Sequence, residues 1–172
     1  MPTLLHRVAG AIDRVNEGVG RAVSWLNTAL VLLIGYDVLT RYAFNYTQVG
    51  VVEAEWHLFA LVFLLGAGWA YKHDRHVRVD VFYCRLSPRG RAWVNLLGVV
   101  CFLLPFCWVA ARAGWRFTSN SFRFAESSPD PGGLPFRYLI KAAIPLGFAL
   151  LSLQGVAEAA RALLVITERP AR

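Results

Sequence analysis

The chain has 172 residues, 56% of them hydrophobic and only 17% charged, with net charge +7 and mean hydropathy +0.44. Soluble domains carry roughly 25% charged and 45–50% apolar residues, so a water-soluble fold of this length could not hide this much apolar surface. Nucleic-acid binding is excluded by the placement of the bases, which sit in gaps between apolar runs instead of gathering on one face.

The first 21 residues contain Arg7, Asp13, Arg14, Glu17 and Arg21 and lack the compact apolar region of a cleaved signal peptide. Leu5, Val8, Ile12, Val15 and Val19 recur at spacings of three and four, one apolar stripe on a helix. This reads as an amphipathic interfacial segment, or as an extension of the first span.

Four apolar segments follow, at about 22–44, 51–71, 93–111 and 142–165. Each reaches the ~20 residues needed to cross ~30 Å of hydrocarbon. They are about twice the length of a barrel strand and do not alternate, so helices are expected. The fold class is therefore an all-α integral membrane protein, a single domain of four transmembrane helices. Pro105 and Pro145 fall inside spans three and four, where a kink is expected.

Lys and Arg set the topology. Twelve lie before span one, between spans two and three, and at or beyond the end of span four; six lie on the other side. The positive-inside rule then places both termini in the cytoplasm. His76-Val77-Arg78-Val79-Asp80-Val81-Phe82-Tyr83, between spans two and three, is too apolar for a free loop and too charged for a span. A second interfacial segment fits it. Glu126-Ser127-Ser128-Pro129-Asp130-Pro131-Gly132-Gly133-Leu134-Pro135 has the Pro, Gly, Ser and Asp density of tight turns. It lies outside the cytoplasm and is long enough to touch a partner.

Motifs for chemistry are missing. There is no GxxxxGK[ST], GxGxxG or HExxH. Cys84, Cys101 and Cys107 have neither zinc nor disulfide-framework spacing. A haem anchor would need two His on facing spans, and only His57 lies within one. A solitary channel would need a polar lining along whole spans, and Val99–Trp108 has none. No catalytic residue, cofactor or metal ligand is expected. Asp37 and Arg41 are four apart, acid first, the favourable order for a pair. A structural pair near the end of span one is preferred over an ion site. Glu53 and Glu55 open span two beside Trp56, as acids at a helix N-terminus with an aromatic anchor, and could contact a neighbouring subunit. Glu158 and Arg161 read as an i,i+3 pair closing span four. Ala110 and Gly114, and Ala143 and Gly147, have a spacing that lets helices approach closely.

Several stretches, in order, resemble the DctQ-like small membrane subunit of tripartite ATP-independent periplasmic (TRAP) transporters. They are Arg41-Tyr42-Ala43-Phe44-Asn45, then Glu53-Ala54-Glu55-Trp56-His57-Leu58-Phe59 with Leu64-Leu65-Gly66-Ala67-Gly68, then His76-Val77-Arg78-Val79-Asp80. The run Glu126–Pro135, with Lys141, Pro145 and Leu151-Ser152-Leu153-Gln154, is similar to the branch labelled for mannitol or chloroaromatic compounds. One departure is that Glu53 and Glu55 are not adjacent. The resemblance implies a bacterial inner-membrane complex. In it a large membrane subunit carries solute and sodium, a periplasmic substrate-binding protein delivers the solute, and the small subunit is a scaffold. The candidate interface or structural residues are Asp37, Arg41, Glu53, Glu55, Trp56, His76, Arg78, Asp80, Glu126 and Ser127.

Overall fold

The computed structural model describes residues 2–73 and 83–167. The helices are α1 (Pro2–Phe44), α2 (Val49–Lys72), α3 (Pro88–Gly98), α4 (Leu104–Arg123) and α5 (Tyr138–Thr167). A π turn, Val99–Leu103, joins α3 to α4 as one continuous rod. Four helical segments are long and apolar enough to cross a membrane: Leu5–Phe44, Val49–Lys72, Pro88–Arg123 and Tyr138–Thr167.

The N-terminal stripe does not form a separate helix. It is the first half of α1 and runs unbroken into span one. The reason lies in packing: Ala9 and Asn16 are buried, and Asp13, Asn16 and Glu17 find polar partners on α5 and α2. Hydrogen-bonding and ion-pair partners hold this segment in register with the span that follows.

The expected kink at Pro105 takes the form of the π turn. Pro105 has no N–H to give, and its ring crowds the carbonyl four residues back. The backbone widens one turn earlier, so that the Leu104 N–H reaches the Val99 carbonyl, five residues back. Pro145 lies inside a continuous α5. Ser87 caps α3, its Oγ accepting from the Gly90 N–H at 3.2 Å, with Pro88 at the first helical position.

Helix α5 is the hub, packing on α1, α2, α3, the π turn and α4. Its polar residues therefore turn inward: Gln154 is fully buried, among Ala143, Gly147, Gly155, Ala157 and Ala160. Small residues let the helices close up. A Cβ on Gly147 would lie 2.6 Å from the Leu64 carbonyl oxygen, and one on Gly68 would lie 2.4 Å from Asn16 Oδ1. Both small pairs meet neighbours: Ala143 is buried, and Gly114 faces Ile144 and Pro145. Large apolar side chains such as Leu32, Phe63, Phe102 and Trp108 point outward, as they should where lipid is the solvent.

Candidate functional site

Two polar clusters hold the bundle, one at each end. The first is centred on Glu53, one turn into α2 and 4% exposed. Ser128 Oγ donates to Glu53 Oε1 at 2.6 Å, the Leu134 N–H to Oε2 at 2.6 Å, and Arg137 Nη2 to Oε1 at 2.8 Å. One carboxylate thus gathers a hydroxyl, a backbone amide and a guanidinium, the donor set that makes a buried charge tolerable.

The loop is built to surround that carboxylate. Ser128 N–H donates to the Leu134 carbonyl at 3.1 Å, Gly133 N–H to Asp130 at 3.0 Å, and Arg137 N–H to Glu126 at 3.0 Å. A Cβ on Gly133 would fall 2.3 Å from Ser128 Oγ and 2.9 Å from Glu53 Oε2. The glycine is what allows the turn to close on the acid. The loop begins at a helix end of Schellman type. Glu126 N–H returns to the Ser121 carbonyl and Ala125 N–H to that of Phe122, with Ala125 at φ +44°.

Around the anchor, Arg137 lies 5.8 Å from the Trp56 ring centroid. Lys141 lies 4.0 Å from the ring centroid of Phe117 and pairs with Glu126. That pairing holds the Glu126 carboxyl below its ordinary range. Trp56, Glu126, Arg137 and Lys141 edge an open depression of about 410 Å³.

Sequence reading groups Glu53 with Glu55, but two positions on a helix point in nearly opposite directions. Glu55 lies instead within electrostatic reach of Asp37 and Arg41. Asp37 and Arg41 do pair, with Asp37 3% exposed. Among the described residues, Asp37 Oδ1 and Glu55 Oε1 are buried without a hydrogen-bond partner. Asn45, at φ +49°, turns the chain after α1, and Tyr46 N–H returns to the Thr40 carbonyl at 3.2 Å. The end of the Arg41–Asn45 motif is thus a left-handed cap, a conformation Asn tolerates. Ser127 is exposed; its neighbour Ser128 makes the bond to Glu53. His76, Arg78 and Asp80 lie outside the described residues.

The second cluster ties α1 to α5 and α2. Asn16 Nδ2 donates to Gln154 Oε1 at 2.9 Å, and Gln154 Nε2 to Asp13 Oδ1 at 3.1 Å. Arg161 pairs with both Asp13 and Glu158. The expected Glu158–Arg161 pair therefore exists, but it is part of an interhelical network. Alongside, Lys72 Nζ donates to Glu17 Oε2 at 2.6 Å and Trp69 Nε1 to the same oxygen at 3.3 Å. Sequence reading missed Asp13, Asn16, Gln154, Ser128 and Arg137 as partners. For Gln154 the sequence held half a signal, since a polar group inside an apolar helix demands a mate without naming it.

These arrangements bind the protein to itself; among the described residues no group of three or more His, Cys, Asp or Glu could hold a metal. Comparison with known proteins agrees on the kind of molecule. Residues 30–165 match the model of the DctQ component of tripartite ATP-independent periplasmic transporters. The chain is 26% identical over 166 residues to the C4-dicarboxylate TRAP transporter small permease protein DctQ of Vibrio cholerae, covering 85% of this chain and 70% of that one. It is 29% identical over 150 residues to a TRAP transporter small permease protein of Haemophilus influenzae, covering 87% of this chain and 91% of that one. A four-span helical bundle whose internal charges serve its own packing, matched over most of its length by that model, belongs to the DctQ family of TRAP transporter small permease subunits.

Proposed function

We propose that this subunit scaffolds a large membrane subunit during sodium-driven, binding-protein-dependent uptake of an organic solute across the bacterial inner membrane. The observation that carries this reading is how its buried polar groups are used. The Glu53 carboxylate is taken up by Ser128, Leu134 and Arg137, and Gln154 by Asn16 and Asp13. A membrane solute site needs polar groups that converge on open space, usually from broken helices. Here they converge on each other.

The solute in this reading is a carboxylate, in keeping with the name of the Vibrio cholerae relative, a C4-dicarboxylate transporter subunit. Both termini lie in the cytoplasm, supported by the distribution of Lys and Arg. The Glu53 loop then faces the periplasm, where the binding protein arrives. Arg41, Glu55 and Trp56 at the same end, with His76, Arg78 and Asp80 in the stretch between spans two and three, are the candidate contacts with the large subunit.

Reconstitution tests the reading. The purified chain alone in proteoliposomes should neither bind nor transport a carboxylate solute, and adding the large subunit and binding protein should give sodium-driven uptake. Uptake by this chain alone would overturn it. Reporter fusions after Arg89 and at the C-terminus should both report cytoplasm; a periplasmic signal from either would overturn the orientation.

A further inference from the structure

Helix α4 presents a basic face that the bundle does not use. Arg112, Arg116 and Arg123 are exposed. At 100° per residue they lie roughly 140–180° around the helix from the buried edge formed by Cys107, Gly114 and Ser121. They point straight away from α5. Among the described residues no acid lies within ion-pairing distance of any of them, whereas Arg41, Arg137 and Lys141 each pair with one and Arg161 with two. Arg112 instead lies 5.8 Å from the Trp108 ring centroid.

Depth supplies the second observation. Residues 96–111 carry no charge, and Arg112 is the first to follow them. It therefore stands where hydrocarbon gives way to headgroups, with Arg116 about 6 Å further out along the axis. Exposed aromatic rings flank the pair, Trp108 at 64% and Trp115 at 66% exposure, as in an interfacial aromatic belt. A guanidinium offers parallel donors to phosphate oxygens, and two of them one turn apart can hold one phosphate between them.

From this geometry we propose that the Arg112–Arg116 face of α4 binds the phosphate of an anionic phospholipid headgroup. The assignment is independent of the transport role, since it needs only α4 in a bilayer.

The test uses the purified full chain in detergent, with native mass spectrometry and thermal unfolding as readouts. Phosphatidylglycerol, phosphatidylcholine and inorganic phosphate are added separately. Phosphatidylglycerol should be retained and raise Tm more than phosphatidylcholine, while inorganic phosphate should do little. In the double variant Arg112→Gln/Arg116→Gln, phosphatidylglycerol affinity should fall about tenfold or more, with lipid-free Tm unchanged. Arg112→Lys/Arg116→Lys should fall in between, keeping charge without the fork. Equal retention of the two lipids, an equal effect of inorganic phosphate, or no change in the Gln variant would each overturn the assignment. So would efficient crosslinking of Arg112→Cys to the large subunit in the assembled complex, which would place protein and not lipid against this face.

Discussion

Glu53 and Arg137 stand 84 positions apart and meet at 2.8 Å, joining the start of α2 to the residue before α5. Two other donors share the carboxylate, so this contact decides where the 126–137 loop lies. Glu53→Gln keeps the shape but turns an acceptor into a donor facing donors. The expected result is a lower Tm and faster proteolysis between Glu126 and Pro135, with Ser128→Ala milder. Unchanged loop protection in Glu53→Gln would remove the anchor role.

Asn16 and Gln154 are both fully buried and bonded to each other. Gln154→Leu leaves the Asn16 amide and Asp13 short of partners, at a cost of about 1–3 kcal/mol. Adding Asn16→Leu should recover part of that loss. A double-mutant cycle in detergent should give a coupling of about 0.6–1.7 kcal/mol. Strict additivity would mean that the bond contributes nothing.

Gly147 sets the distance between α5 and α2. Because a Cβ there would meet the Leu64 carbonyl oxygen at 2.6 Å, Gly147→Val should force the helices apart and sharply lower the yield of folded protein. A Cβ on Gly10 would meet no neighbour within 4 Å, and Gly10→Ala should be tolerated. Expression and size-exclusion profiles distinguish the two.

Ala125 occupies a left-handed position at the end of α4, φ +44°. An L side chain there costs roughly 1–2 kcal/mol, which glycine avoids. Ala125→Gly should raise stability by about 1 kcal/mol, offset in part by the greater freedom of the unfolded chain. A thermal melt checks it.

The Lys141 ammonium holds Glu126 below its ordinary value of 4.5. A carboxyl depressed in the folded state stabilises at pH above its unfolded value and loses that contribution as pH falls through the folded one. Glu126→Gln should therefore be less stable than the parent at pH 7. The gap should narrow steadily below about pH 4.5. A gap independent of pH would assign the effect to packing.

Much of this molecule follows from the order of residues alone. Four uncharged or nearly uncharged stretches of about twenty residues must be helices in a membrane, because a spanning backbone satisfies its groups only as a helix or a closed barrel and these runs are about twice the length of a barrel strand. The Asp37–Arg41 pair is equally local, four positions apart on one helix. Partnerships between distant segments are different. Nothing along the chain says that Glu53 meets Ser128 and Arg137 while Glu55 turns toward Asp37, or that Gln154 seeks Asn16. Helical periodicity fixes the direction of a side chain only relative to its own helix; which neighbour fills that direction depends on how the helices pack. Gly147 and Gly68 set how closely they approach. Only once α5 stands at the centre does the polar character of span four become a binding force between helices, because there its amides and charges face mates instead of lipid.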